Sequence, residues 1–108
     1  MNKYNAKKTK IDGITFDSKK EARRYTVLKS LQKAGKITNL KLQVPFELLP
    51  TTKYKGETIR KTVYKADFTY TINGEDIVED VKGVETSVFR LKRKLLLMKY
   101  PDINFKTT

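Results

Sequence analysis

Neither histidine nor cysteine occurs among the 108 residues of this chain. Without cysteine there are no disulfides and no thiolate zinc sites, although the absence says nothing of compartment. Without histidine there are no Ser-His-Asp triads, Cys-His pairs, His-metal nucleases, His-based zinc proteases or imidazole acid–base nucleases. Any hydrolysis is left to carboxylates, lysine and an oxygen-preferring metal such as Mg²⁺ or Mn²⁺. Long apolar runs are missing too. The densest, Leu95 to Met98, falls far short of a membrane span, and the N-terminus lacks the apolar core of a signal peptide. The sequence therefore predicts a cytoplasmic protein.

Acids are scarce: 12 Asp and Glu against 24 Lys and Arg, for a net charge of +12 and a pI near 9.9. Such a balance points to nucleic acid as a partner. The acids are also unevenly placed. Residues 1–36 hold eleven bases and three acids, 37–66 six and two, and 86–108 six and one. Residues 67–85 hold six acids and a single base, Lys82. A protein that only coats phosphate gains nothing from this island, whereas one that holds a divalent cation against a phosphate needs both signs of charge.

Asn73-Gly74 sits between alternating runs and is a strong hairpin signal, normally a two-residue type I′ turn. Pairing outward from that turn sets Asp67 opposite Asp80, with Cβ atoms about 4.5–5.5 Å apart. Two carboxylates so placed repel, and a metal ion between them reverses the sign of the interaction. Lys82 falls on the same face as Asp80, two residues on. The face reads Asp67, Thr69 and Thr71 against Val78, Asp80 and Lys82. The opposite face, Ala66, Phe68, Tyr70 and Ile72 against Ile77, Glu79 and Val81, reads as mostly core. That alternation favours Asp80 over Glu79 as the site carboxylate.

At this length the chain is one domain, able to bury about two thirds of its unfolded surface. Residues 1–10 read as a flexible basic arm and 11–108 as the folded domain, with a short hairpin or extended segment turning at Asp12-Gly13. Ser18-Lys19-Lys20-Glu21 is a capping-box pattern, predicting a helix to about Ala34 that stops at Gly35. Ala22, Tyr25, Leu28 and Leu31 form its apolar face, with Lys19, Lys20, Arg23, Arg24, Lys29 and Lys33 on the remaining surface. Leu40 to Leu49 alternates only in part, and Pro45 suggests an edge strand or bulge. Residues 51–57 read as a polar loop, and 59–72 with 75–82 as the main hairpin. A second helix starts at Thr86 or Ser87 and ends near Tyr100, before Pro101. Its expected buried stripe is Val88, Leu91, Leu95 and Met98, with Arg90, Lys92, Arg93, Lys94 and Lys99 making it basic elsewhere. Ile103 to Phe105 suits a last strand. The order predicts a small α/β domain with a mixed central sheet, an antiparallel hairpin and two flanking helices.

Ala66-Asp67-Phe68, a hairpin, Asp80-Val81-Lys82-Gly83 and then a basic helix together resemble the PD-(D/E)XK nuclease superfamily. Within it the likeness is to small phage Holliday junction resolvases of the endonuclease I type and to related phage endonuclease-like proteins, over roughly residues 18–105. Ala66 stands where the superfamily carries the proline of its name, a residue that shapes backbone rather than chemistry. The resemblance implies a restriction-endonuclease-like fold and Mg²⁺- or Mn²⁺-dependent cleavage of DNA, with branched DNA as the substrate class. It implies Asp67 and Asp80 as metal ligands, with the Val81 carbonyl as a third. Lys82 would position the attacking water and stabilise charge on the phosphate, and Glu21 would be a second carboxylate ligand. A homodimer is expected, since cutting two strands symmetrically calls for two sites.

Each of these residues also has a plainer explanation. Asp67 could make a surface pair, Asp80 and Lys82 a cross-strand salt bridge, and Glu21 a capping box with Ser18. Lys19, Lys20 and Arg23 on the first helix and Arg90, Lys92, Arg93 and Lys94 on the second are the candidate DNA-backbone contacts, or else solvated faces. Tyr4, Tyr54, Tyr64 and Tyr100 could stack on bases or pack in the core. Two other functions fit the same residues. One is a non-catalytic nucleic-acid-binding protein on a nuclease scaffold, and the other is a nuclease subunit that cuts only beside a partner.

Overall fold

The computed structural model describes residues 8–108. Ten elements follow one another: β1 (Thr9–Ile11), β2 (Ile14–Phe16), α1 (Lys19–Lys33), β3 (Thr38–Leu49), β4 (Thr52–Tyr54), β5 (Glu57–Ile59), β6 (Thr62–Ile72), β7 (Glu75–Asp80), α2 (Ser87–Lys99) and β8 (Asn104–Thr107). Residues 1–7 of the expected arm lie outside the described residues, and its end is ordered, because Thr9 and Lys10 begin β1.

The central sheet runs β3-β6-β7-β8. β3 and β7 pair antiparallel with β6, while β8 pairs parallel with β7 after the crossover through α2. This is a small mixed α/β domain with a mixed four-stranded sheet. β3 is the edge that Pro45 suggested, with register shifts between Thr38 and Lys41 and between Glu47 and Leu49. The main hairpin has the predicted register, Ile72 with Glu75 through Phe68 with Glu79. Asn73 and Gly74 both take positive φ, as a type I′ turn requires.

Each face of the sheet carries its own core. On one, Phe68 and Tyr70 pack with Ala22, Tyr25 and Leu28 of α1 and with Phe16 and Ile37. On the other, Tyr64, Ala66 and Val78 pack with Leu48 and with Phe89 and Leu96 of α2. Ala66 was expected beside Phe68 but joins the α2 side. β7, buried on both faces, therefore carries three successive buried residues, Val78, Glu79 and Asp80.

Two sequence expectations need correction. The expected stripe of α2 is largely exposed, with Val88, Leu91 and Met98 at 61%, 57% and 76%, while Phe89 and Leu96 are the buried positions. In place of a polar loop over 51–57, the β4–β5 hairpin runs from Thr52 to Ile59, its Lys55-Gly56 turn takes positive φ at both residues, and the main hairpin strand starts at Thr62 rather than at 59. Among the described residues no helix is long and apolar enough to cross a membrane.

Candidate active site

Regular pairing of β6 with β7 ends at Phe68 and Glu79, and the next two residues are Asp67 and Asp80. There the side chains take over from the backbone. Asp80 Oδ1 accepts the Asp67 N–H at 2.9 Å, and Asp67 Oδ2 accepts the Val81 N–H at 2.9 Å. The facing acids are thus held by reciprocal backbone donors, so a cation is not the sole relief of their repulsion. Asp80 Oδ2 also accepts from the Tyr64 hydroxyl and lies 3.5 Å from Lys82 Nζ. Lys82 in turn stands over the Phe89 ring, 4.5 Å from its centroid.

Glu21 arrives from α1. Ser18 caps that helix by accepting the Glu21 N–H at 3.1 Å, as the motif predicts. The reciprocal half of a capping box is not made: the Glu21 carboxylate instead accepts from Gln43 Nε2 at 3.3 Å. The same Gln43 nitrogen reaches Asp67 Oδ1 at 3.4 Å. One amide therefore bridges carboxylates 46 positions apart in the sequence. Gln43 holds this place with a left-handed φ of 53° in the middle of β3, a conformation that costs a non-glycine residue about 1–3 kcal/mol and clusters at functional sites. The sequence reading missed it, because nothing in Leu40 to Leu49 marks a polar residue turned inward by backbone strain.

Glu21, Asp67, Val81 and Lys82 line one groove of about 440 Å³, walled by Lys20 and by the Gly83 to Phe89 segment. Asp80 and Lys82 line an adjoining groove of about 460 Å³ with Lys65 and Lys92. Burial pushes the Glu21 carboxyl up to about 7, with Asp67, Asp17 and Asp80 adding to the shift and Lys82 opposing it. Burial likewise raises Asp67 against the Val81 N–H, Lys82 and Gln43, and raises Asp80 against the Asp67 N–H and Lys82. Each acid is thus held in surroundings that favour either protonation or a bound cation.

Among the described residues no three Asp or Glu side chains converge closely enough to cage a metal ion as they stand. The donors nonetheless suit one by type, since all are hard oxygens. Glu21 Oε1 and Asp67 Oδ1 already share one positively polarised neighbour, the Gln43 amide, at 3.3 and 3.4 Å. Glu21 and Asp67 are the carboxylates that would hold a cation there.

Glu79, beside Asp80 in sequence, belongs to a different assembly on the other face. Arg24 grips it with two bonds, Nε to Oε2 at 2.5 Å and Nη2 to Oε1 at 3.0 Å. The Tyr70 and Thr108 hydroxyls donate to it at 2.7 and 2.6 Å. Burial alone would raise its pKa, but these donors outweigh burial and hold it below the ordinary carboxylate value. Arg24 is accordingly no surface cation.

The candidate DNA contacts are also uneven. Lys19, Lys20, Arg23, Arg90 and Lys94 are exposed, and Lys92 is partly so. Lys20 Nζ donates to the Lys82 carbonyl at 3.2 Å, which brings it to the groove. Arg93 is engaged by Glu85 at 3.3 Å and lies over the Phe89 ring, so it serves packing before it can serve phosphate. Tyr64 and Tyr100 are occupied, by Asp80 and by the Glu47 carbonyl, whereas Tyr54 is 56% exposed. Tyr4 lies outside the described residues.

Neither the curated proteins nor the solved structures include a significant match to this chain. One family model covers residues 1–108, and the chain belongs to that family, described as protein of unknown function (DUF1064).

Proposed function

We propose that the protein is a Mg²⁺- or Mn²⁺-dependent DNA endonuclease of restriction-endonuclease-like fold, acting in the cytoplasm as a homodimer. Branched DNA is the proposed substrate class, in the manner of a Holliday junction resolvase. The observation that carries this reading is the convergence of Glu21 from α1, Asp67 from β6 and Lys82 from the segment after β7 on one groove. Glu21 and Asp67 share the Gln43 amide there, and burial raises the pKa of both carboxyls.

Glu21 and Asp67 would hold the cation, with the Val81 carbonyl adjoining. Asp80, expected as a further ligand, is turned to the Asp67 N–H, Tyr64 and Lys82 and would fix the Asp67 backbone instead. A bound cation would supply charge neutralisation at the phosphate and a more acidic water. Lys82, on the groove wall and 3.5 Å from Asp80, presents an ammonium that can orient the attacking water and stabilise the developing phosphorane charge. Phe89 and Val84 add apolar surface to the same wall.

The test is incubation of the purified protein with linear, nicked, supercoiled and four-way-junction DNA in Mg²⁺, Mn²⁺ or EDTA. Cleavage is expected with metal alone, greatest on the junction. Asp67→Ala and Lys82→Ala should abolish it while DNA binding survives, because affinity comes from the basic surfaces. Binding without cleavage under any condition would assign the non-catalytic function instead.

A further inference from the structure

The β4–β5 hairpin has no structural reason to exist within the domain. Thr52 to Tyr54 and Glu57 to Ile59 are exposed throughout, and among the described residues neither core cluster includes any of residues 50–61. A lone two-stranded ribbon is marginal in water. This one also requires Lys55 to adopt a φ of 50°, unfavourable for a residue with a Cβ. A polar connection of fewer residues would join β3 to β6 at less cost.

Its chemistry is one-sided. Lys53, Lys55, Arg60 and Lys61 face a single acid, Glu57, over residues 51–61. Among the described residues none of those four cations makes an ion pair. Tyr54, next to the turn, is 56% exposed, with Lys55 Nζ 5.4 Å from its ring centroid. The base of the ribbon leads directly into β6, which places Thr62 roughly 17 Å from Asp67 at about 3.3 Å per residue.

We propose that the β4–β5 ribbon is a nucleic-acid-docking arm that enters the major groove of duplex DNA, with Lys53 and Lys55 against phosphates and Tyr54 at the leading end. The major groove is about 12 Å wide and admits a two-stranded ribbon. The excess of cations selects a polyanion. Pairing of ribbon edges between two copies would set like charges side by side, and edge lysines oppose such pairing. The proposal rests on the reading of this protein as one that acts on DNA, but its arm and its chemistry are separable by experiment.

Binding of the full chain to a fluorescent duplex is measured in EDTA across a range of salt, for wild type, Lys53→Gln/Lys55→Gln and Tyr54→Ala. The double variant should bind about tenfold more weakly at physiological salt, with the log–log salt slope reduced by about 1.8, two phosphate contacts at about 0.9 each. Tyr54→Ala should weaken binding with the slope unchanged. Melting temperatures should match wild type, since these side chains lie in neither core. Wild-type affinity and slope in the double variant would overturn the proposal. So would a wild type that binds no duplex, or a double variant that binds normally but sediments as a smaller species, which would make the ribbon an assembly element. Loss of binding in the variants, beside a wild type that never cuts with metal, would leave the arm standing and remove the nuclease.

Discussion

Glu21 shows how far a single residue could be read in advance. Ser18 and Glu21 at capping-box spacing mark the start of α1, and the Ser18 half of that box is made. The carboxylate goes elsewhere, to Gln43 beside Asp67, which no local pattern could reveal because Gln43 reaches it through a strained backbone on another strand. The consequence is measurable. With a folded pKa of about 7 against an ordinary 4.5, ionisation of Glu21 works against the fold. Its contribution to stability is fully present below pH 4.5 and is lost as pH rises through 7. Glu21→Gln should therefore raise metal-free stability at pH 8 by on the order of 2 kcal/mol and change it little at pH 4. Asp67, Asp80, Asp17 and Lys82, the charged groups facing it, remain in place. Urea denaturation in EDTA at the two pH values decides it, and a destabilised variant at pH 8 would make the carboxylate structural.

At the scale of elements, α1, the main hairpin and the edge character of β3 were legible because each has a punctuating signal: Ser18 and Gly35, Asn73-Gly74, Pro45. The helix α2 spans the expected residues but buries a different face. Its leucine-rich sequence offers two apolar stripes at helical spacing, and the more apolar one, Val88, Leu91, Leu95 and Met98, is mostly in solvent. Half-buried Lys92 and Arg93 share the face of the buried stripe, Phe89 and Leu96, and the Arg93 guanidinium lies over the Phe89 ring. Charged letters at those positions hide the stripe from a count of hydrophobic residues. Leu96, with no exposed surface, should cost about 2–5 kcal/mol on replacement by alanine. Leu91→Ala should stay within about 0.5 kcal/mol. Equal losses for the two variants in chemical denaturation would restore the other stripe. The β4–β5 ribbon was unreadable for a similar reason: Lys-Gly is a poor advertisement for a type I′ turn, and short Thr- and Lys-rich strands look like loop.

The whole molecule explains why two adjacent acids on β7 have separate fates. A sheet covered on both faces buries Glu79 and Asp80 alike, so each must find partners on its own side. Asp80 finds Tyr64, Lys82 and the Asp67 backbone. Glu79 gathers Arg24 of α1, Tyr70 of β6 and Thr108 just past β8, tying three elements and the end of the chain together. Thr108 also exchanges backbone bonds with the site strand, donating to the Asp80 carbonyl and accepting from the Lys82 N–H. The Glu79 cluster thus braces the backbone that carries Asp80 and Lys82. Long-range partners of this kind have no sequence signature, since Arg24 lies 55 residues before Glu79. Removing one member of a buried ion pair strands the other, at a cost of about 3–5 kcal/mol. Arg24→Met should destabilise by that order at pH 7. The sign with pH separates charge from packing. In the wild type Glu79 is held below its ordinary pKa, so its stabilisation is present above the unfolded value and is lost as pH falls through the folded one. In Arg24→Met, burial is no longer opposed by the guanidinium and Glu79 protonates more readily. The deficit relative to wild type should then narrow between pH 7 and pH 4. Denaturant titrations at both values measure it, and a deficit that stays constant would reassign Arg24 to packing alone.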